Sequence, residues 1–183
     1  MGFHHVALVT RDAAATHRFY TEVMGFELVK VVASPTPNVG DGFSKHFFYA
    51  TGATDNSDSP GLIALWDLRD DEIGYEFNDN LNEATGTPVW VNHIAFDAPT
   101  KGALDAHRAR WTDHGHTVAE VDHGFCVSIY ITDPSGNMVE FCHSTRPFDD
   151  NDRLEAQRLL DDPNPPLTSD AVVTVHEPES SAV

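Results

Sequence analysis

The chain carries two copies of one sequence pattern, and this repeat constrains its fold more than any other feature. The segment HHVALVTRD at residues 4–12 is echoed by NHIAFDAPT at residues 92–100. In each copy an apolar strand pattern with a histidine near its start precedes a helical pattern. Three further strand patterns follow each helix. The repeat therefore predicts two paired β-α-β-β-β modules in an α+β fold.

Glycine and proline mark the boundaries of these elements. The helical patterns cover residues 13–24 and 101–114. Gly25 and Gly115 end them, because glycine adopts positive φ at little cost. The later strand patterns cover residues 26–33, 45–51 and 61–67 in the first copy and 116–122, 125–132 and 137–143 in the second. A DPSG turn precedes the last strand of the second copy, whereas the first copy has a longer polar loop at 51–61.

We expect a single domain over residues 1–145. It consists of module one at 3–67, a linker with at most one short helix at 68–88, and module two at 89–145. Residues 146–183 then predict a C-terminal helix followed by a frayed tail over the last dozen residues. Asp152 with Glu155 is the candidate cap of that helix.

Composition narrows the classes of function. A formal net charge of −18 argues against a nucleic-acid partner, since phosphate binding needs a basic face. The acidity fits either a repulsive, solubilising surface or a salt-adapted source. No apolar run approaches the roughly 20 residues that cross a bilayer, and we expect a cytoplasmic protein without a membrane partner. The two cysteines, Cys126 and Cys142, are expected to be free thiols.

Three polar residues stand inside apolar strand patterns. Glu140 lies beside Val139 and Phe141, where a carboxylate is costly unless a cation or hydrogen-bond donors satisfy it. His93 and His5 occupy equivalent positions at the start of the two repeats. Alone, each has an ordinary explanation: an edge-strand glutamate in water, or a core histidine bonded to a carbonyl. Together, two imidazoles and one carboxylate form a ligand set that suits non-haem Fe(II) with open positions.

Strand alternation places Cys126, Ser128 and Tyr130 on one face. An odd-length connection after this strand, such as a bulge at Gly136, brings Tyr130 opposite Glu140. It also brings Cys126 diagonally close to Cys142. An even-length connection puts Tyr130 and Glu140 on opposite faces, so both arrangements stay open.

The paired modules resemble the vicinal oxygen chelate superfamily, which includes glyoxalase I, bleomycin- and fosfomycin-resistance proteins and type I extradiol dioxygenases. The segment VDHGFCVSIYITDPSGNMVE at 121–140 is similar to the extradiol signature in its His123, Tyr130, Asp-Pro, glycine and Glu140 elements. The resemblance implies a curved mixed sheet around a metal held by His5, His93 and Glu140. It also implies that His123 and Tyr130 line the substrate pocket.

Two further positions refine the resemblance. Ala64 stands where glyoxalase I has a carboxylate-type ligand, which favours the three-ligand dioxygenase pattern. A fourth ligand from Asp67 or His46 would favour an isomerase. The segment LIALWDLRDD lacks the acid/base histidine of many catechol-cleaving relatives. A hydroquinone-cleaving branch instead opens with a histidine pair like His4-His5, and alternation predicts that His4 faces away from His5.

The resemblance therefore implies an Fe(II)-dependent extradiol ring-cleavage dioxygenase, with Mn(II) or another divalent ion as alternatives. Its expected partners are a small aromatic diol, O2 and further copies of the chain in a homo-oligomer. Tyr130 is expected to hydrogen-bond a substrate oxygen and His123 to stabilise an anion or move a proton, with His4 as a third catalytic candidate. The alternatives are a metal-dependent isomerase or transferase, or a binding module that sequesters a small molecule.

Overall fold

The computed structural model describes residues 3–36, 40–52, 61–74, 76–167 and 171–178. Its strands are β1 (His5–Thr10), β2 (Glu27–Pro35), β3 (Phe43–Ala50), β4 (Leu62–Arg69), β5 (His93–Asp97), β6 (Val118–Asp122), β7 (Cys126–Thr132), β8 (Met138–Ser144) and β9 (Val172–His176). Its α-helices are α1 (Ala13–Arg18), α2 (Leu81–Thr85), α3 (Lys101–Asp113) and α4 (Asp150–Asp161). None of the described helices is both long enough and apolar enough to cross a membrane.

The strands form two sheets that reproduce the predicted repeat. One has the order β1-β4-β3-β2 and the other the order β5-β8-β7-β6-β9. In the first sheet β1 runs parallel to β4, while β3 is antiparallel to both of its neighbours. Both modules therefore show the β-α-β-β-β order, and the α+β class is confirmed. The linker carries one short helix, α2, as predicted; most of the polar loop at 51–61 lies outside the described residues.

The first sheet buries one face against the helical segment that follows β1. Asp12 caps α1 by accepting hydrogen bonds from the backbone of Ala14 and Ala15. The segment continues as a π-helical turn at Phe19–Val23, where a continuous α-helix was predicted. This turn carries Tyr20, whose ring stacks 5.7 Å from that of Tyr49 on β3. The π-helical turn therefore carries an aromatic residue that packs against the first sheet.

The second sheet buries the face that carries Ile129, Val139 and Phe141. Helix α3 supplies their partners: the ring of His107 stacks 3.6 Å from Phe141, and Trp111 lies 5.4 Å from the same ring. Because side chains alternate along a strand, the sequence neighbours of Ile129, Val139 and Phe141 point to the other face of the sheet. Helix α3 ends at Asp113, and Gly115 follows its C-cap with φ 84°, in the terminating role that the sequence predicted.

The chain divides into two compact units. One comprises Met1–Ile94 with Ile131–Val139, and the other comprises Ala95–Tyr130 with Glu140–Val183. The first unit thus includes β1 to β4 and the turn between β7 and β8. The second includes α3, β6, α4 and β9. The expected domain boundary at residue 145 and the two module boundaries stay predictions.

The C-terminal segment differs from its prediction in two ways. Helix α4 is capped by Asp149, which forms a capping box with Asp152, three residues before the expected cap. The expected frayed tail is wrong for Val172–His176, which pair antiparallel with β6 as β9. These residues are rich in valine, and they satisfy the backbone groups along the open edge of β6. A sequence window does not reveal a pairing partner that lies some 50 residues earlier in the chain.

Candidate functional site

The connection between β7 and β8 sets the geometry of the predicted signature segment. Residues 133–137 link the strands, an odd number, and Gly136 adopts φ 81° within them. The Asp133 carboxylate accepts hydrogen bonds from the backbone N–H groups of Ser135 and Asn137, both at 2.9 Å. At the far end of the hairpin the N–H of Thr145 donates to the carbonyl of Phe125 at 2.9 Å. This register places Tyr130 directly opposite Glu140.

The pair belongs to the kind of antiparallel position where facing side chains approach most closely. Glu140 is only 5% exposed, and its carboxylate accepts a hydrogen bond from the Tyr130 hydroxyl. The Nε2 atom of His123 lies 3.2 Å from the same hydroxyl. Since the single phenolic proton goes to Glu140, His123 must present Nε2–H to the phenol oxygen. The odd-length arrangement is therefore confirmed, and it forms a hydrogen-bonded chain from His123 through Tyr130 to Glu140.

Burial controls the protonation of Tyr130. The pKa of Tyr130 is raised to about 12: desolvation raises it most, a hydrogen bond from Ser128 lowers it, and the charge of Glu140 raises it. The phenol is therefore neutral at physiological pH and acts as a hydrogen-bond donor. A carboxylate that is almost fully buried is costly unless donors or a cation satisfy it, and Tyr130 supplies one donor.

The two cysteines lie on the same face of this hairpin. Both are free thiols, and the Cys126 Sγ lies 3.9 Å from the Ser128 hydroxyl. Burial raises the pKa of Cys142 to about 11, and the neighbouring Cys126 and Glu140 add to the effect. A thiol with so high a pKa carries almost no thiolate at neutral pH. The two cysteines therefore form no disulfide, and Cys142 is a poor nucleophile.

His5 and His4 meet at the start of β1 in the other unit. Their Nδ1 atoms are 2.8 Å apart. The expectation that His4 faces away from His5 is therefore wrong: His4 precedes the first strand residue, so strand alternation does not apply to it. One Nδ1 must carry a proton and donate it in the hydrogen bond, and the other Nδ1 must accept that hydrogen bond. When His5 donates, its Nε2 carries the lone pair that a metal ligand needs, and His4 becomes the group that orients it.

His93 begins β5, as predicted, and its Nδ1 lies 3.1 Å from the carbonyl oxygen of Trp90. A carbonyl can only accept, so Nδ1 carries the hydrogen and Nε2 carries the lone pair in the neutral ring. Metal-binding histidines commonly have this second hydrogen bond. The tautomers available to His5 and His93 therefore fit a divalent metal.

The sequence did not determine whether His46 lies near His5. Register puts it on the same face of the first sheet as His5, Ala64 and Trp66. Its ring stacks 3.8 Å from Trp66 and lies 6.2 Å from the ring of His5. Burial lowers the pKa of His46, and the proximity of His5 lowers it further, so the ring is neutral. Its Nε2 is buried and has no hydrogen-bond partner within the described part of the chain.

Asp67 lies on the other face of the same sheet. Its Oδ1 accepts a hydrogen bond from the Nε of Arg69 at 2.8 Å. That face also lines an apolar cavity of about 180 Å³ that contains none of the predicted site residues. The residues around the cavity are Ala13, His17, Leu28, Val31, Lys45, Phe47 and Tyr49. Asp67 and His46 are the two candidates for a fourth metal ligand. Only His46 lies on the same face of the sheet as His5.

The structure brings the predicted residues together in two groups. His123, Tyr130 and Glu140 form one, and His4 and His5 form the other, with His93 at the start of β5. Across the described ranges, no group of three or more histidine, cysteine, aspartate or glutamate side chains is arranged to hold a metal ion. The ligand set His5, His93 and Glu140 therefore stays a prediction.

Comparison with known proteins identifies the family. The model of the Glyoxalase/Bleomycin resistance protein/Dioxygenase superfamily matches residues 2–141. The chain therefore belongs to this superfamily. No curated protein matches the chain significantly.

Solved structures show the same fold. A glyoxylase/bleomycin resistance protein/dioxygenase domain from Frankia sp. EAN1pec superposes with a TM-score of 0.57 at 19% identity, covering 79% of this chain and 98% of that one. The fosfomycin resistance protein FosX from Listeria monocytogenes, complexed with Mn(II) and sulfate ion, has a TM-score of 0.50 at 18% identity, covering 84% of this chain and 97% of that one. At such identities the likeness concerns the fold alone.

Proposed function

We propose that the protein is an Fe(II)-dependent extradiol ring-cleavage dioxygenase that acts on a catechol- or hydroquinone-type aromatic. The hydrogen-bonded chain from His123 through Tyr130 to Glu140 is the observation that carries the proposal. It connects His123 and Tyr130, which can exchange protons with a substrate, to the buried Glu140 carboxylate, which can bind a metal. The superfamily to which the chain belongs includes dioxygenases by its own description.

The metal is proposed to bind His5, His93 and Glu140. The Nδ1 hydrogen bonds of the two histidines support this role, because they direct the lone pairs to Nε2. Fe(II) bound by such a set supplies open positions for substrate oxygens and O2, and Mn(II) accepts the same donors. His4 would then hold the His5 ring in its ligating tautomer, so we assign it a positioning role.

Tyr130 and His123 are proposed to manage the protons of the substrate. With its pKa at about 12, Tyr130 keeps its hydroxyl proton and can redirect it from Glu140 to an anionic ring oxygen. His123, whose Nε2 contacts the same hydroxyl, can pass a proton through it or accept one from the substrate. Glu140 is only 5% exposed, and low solvation around a buried carboxylate strengthens the hydrogen bond that it accepts from Tyr130.

A metal-dependent isomerase or transferase is the second candidate, and His46 is the observation that favours it. Its buried Nε2 lies on the face of His5, where a fourth protein ligand would occupy a position that O2 needs. Such an enzyme would turn over without oxygen and would prefer Ni, Zn or Mn. His46→Ala would then reduce metal content, whereas in the dioxygenase it would leave metal content unchanged.

The deciding experiment uses protein purified without oxygen and reconstituted with Fe(II). We expect about one iron per chain and oxygen uptake with at least one member of a panel of catechols and hydroquinones, together with a ring-opened product. Anaerobic turnover of a hemithioacetal, with no oxygen consumed, would replace the dioxygenase by the isomerase. Tight binding of an aromatic compound with neither reaction would indicate a binding module. Homo-oligomerisation and a cytoplasmic location stay predictions from the sequence.

A further inference from the structure

Strand β9 extends the sheet that carries Tyr130 and is firmly attached to it. It pairs antiparallel with β6 over its whole length, from Val172 to His176. The Nε2 of His176 lies 2.9 Å from the Glu120 carboxylate, and the hydroxyl of Thr117 donates to Glu177 at 2.6 Å. Glu120 is in turn bonded to Arg108 of α3 at 2.6 Å. The strand is therefore held to its neighbour by side chains as well as by its backbone.

The register aligns two valines of β9 with the polar residues of β7. Ala119 on β6 pairs with Tyr130 on one side and with Val175 on the other. Val121 likewise pairs with Ser128 and with Val173. Paired positions in a sheet point to the same face, so Val175 continues the row of Tyr130, and Val173 continues the next row.

This face of the three strands differs in chemistry from the opposite face. Its residues on β6 and β9 are Ala119, Val121, Val173 and Val175, none of them charged. The opposite face of the same two strands carries the titratable residues Glu120, Asp122 and His176 together with Val118, Val172 and Thr174. Val173 is 62% exposed and Val175 is 57% exposed. The chain thus leaves two valines largely exposed on the face of the sheet that carries Tyr130.

Sheet spacing sets the reach of this apolar surface. Adjacent strands lie about 4.8 Å apart, so Val175 is roughly 10 Å from Tyr130 across β6. The residue between them is Ala119, whose single methyl group leaves a shallow trough bounded by the larger tyrosine and valine side chains. A second ring or a short alkyl chain on an aromatic diol spans about this distance.

We propose that Val173 and Val175 of β9 are specificity-determining residues that bind an apolar aryl or alkyl substituent of the aromatic diol. The inference rests on the proposed function, since it takes the diol itself to bind beside Tyr130 and Glu140. The enzyme is accordingly expected to bind substituted diols about two rings in size more tightly than an unsubstituted catechol or hydroquinone. The C-terminal tail thereby becomes part of the substrate site.

The test compares binding of paired probes under anaerobic conditions, where ring cleavage cannot occur. Equilibrium dialysis of the Fe(II)-loaded full chain measures the dissociation constants of catechol and 4-phenylcatechol, and of hydroquinone and phenylhydroquinone. The double variant Val173→Thr with Val175→Thr keeps the shape and β-branching of valine while adding two hydroxyls. The matched control is Val172→Thr, which changes an equally exposed valine on the opposite face of the same strand.

We expect the double variant to weaken binding of the phenyl-bearing probe in at least one pair by roughly tenfold or more, with the parent probe changed less than twofold. The control should change neither. Equal losses for parent and phenyl probes, no loss at all, or the same loss in the Val172→Thr control would overturn the inference. So would a double variant that elutes as a smaller species than the wild type in gel filtration, because the valines would then join copies of the chain.

The binding measurement also separates this inference from the proposed function. If the expected pattern of dissociation constants is found but no probe supports oxygen uptake, the dioxygenase assignment fails while the substituent site stands. If oxygen uptake occurs and the phenyl probes bind no better than their parents in wild type, the assignment stands and the role of β9 fails. Far-UV circular dichroism of each variant checks that the overall secondary structure is retained.

Discussion

The Nε2 atom of His123 lies 3.2 Å from the hydroxyl of Tyr130, which is seven positions further along the chain. The contact is possible because His123 directly follows β6, in the turn that connects β6 to β7. Tyr130 in turn faces Glu140 across β7 and β8. A loop histidine and a buried strand carboxylate therefore meet through one phenol, and this arrangement underlies the following prediction.

Replacing Tyr130 by phenylalanine should slow ring cleavage by about ten- to a hundredfold. The change removes a hydrogen bond to a charged oxygen, which costs roughly 1.5–3 kcal/mol. Iron content should stay at the wild-type level, since the phenol is not a proposed ligand. The measurement is oxygen uptake at matched iron occupancy. His123→Ala should lose at least as much activity, because the histidine is proposed to handle a proton as well.

Tyr49→Phe provides the matched control for this change. Its hydroxyl lies 2.9 Å from the Nδ1 of His17, and burial raises its pKa to about 12, as for Tyr130. Losing this phenol should affect stability without affecting ring cleavage at full iron occupancy. Wild-type turnover by Tyr130→Phe would show that Tyr130 is a packing residue and would remove the main support for the dioxygenase.

Replacing Glu140 by glutamine should abolish iron binding while leaving the fold intact. The amide keeps the volume of the side chain but loses the charge that the metal requires, so iron per chain should fall below about a tenth of the wild-type value. Metal analysis after anaerobic reconstitution measures the effect. Glu120→Gln changes a carboxylate bonded to Arg108 and should retain iron. Equal iron content in the two variants would exclude Glu140 as a ligand.

Replacing His4 by alanine should weaken iron binding without abolishing it. In the tautomer proposed for metal binding, the Nδ1 of His4 accepts a hydrogen bond from the Nδ1–H of His5. The variant removes this acceptor, and loss of such a partner typically costs about ten- to a hundredfold in metal affinity. Competition with a metal chelator measures the affinity. His4→Gln, which can still accept a hydrogen bond, should recover part of the loss. If His4→Ala binds iron like the wild type while turnover falls, His4 acts on the substrate instead.

Cys142 should react slowly with thiol reagents at pH 8 and faster as the pH approaches 11. Burial raises its folded-state pKa from 9.0 to about 11, so the protonated form is favoured in the native protein. A raised pKa contributes stability that is fully present below pH 9.0 and is lost as the pH rises through about 11. The free energy of unfolding of Cys142→Ser should therefore fall less steeply than that of the wild type as the pH rises across this window. Rapid native-state labelling at pH 8 would contradict the assigned environment.

The repeated pattern by itself determined the β-α-β-β-β order of both modules and the helix ends at Gly25 and Gly115. These features depend on local periodicity and backbone preference, which a sequence displays directly. The placement of His5 and His93 at equivalent strand starts also came from the sequence. So did the face shared by Cys126, Ser128 and Tyr130, because strand alternation is a local property.

Tertiary structure decided what depends on partners distant in the chain. The odd-length turn stabilised by Asp133 chose between two registers that the sequence left open, and so brought Tyr130 opposite Glu140. Contact between the His4 and His5 rings arose because His4 precedes the strand. Val172–His176 became a strand because the open edge of β6 needed hydrogen-bond partners. Register and edge pairing are set by the free energy of the whole sheet, and no local window of sequence contains that information.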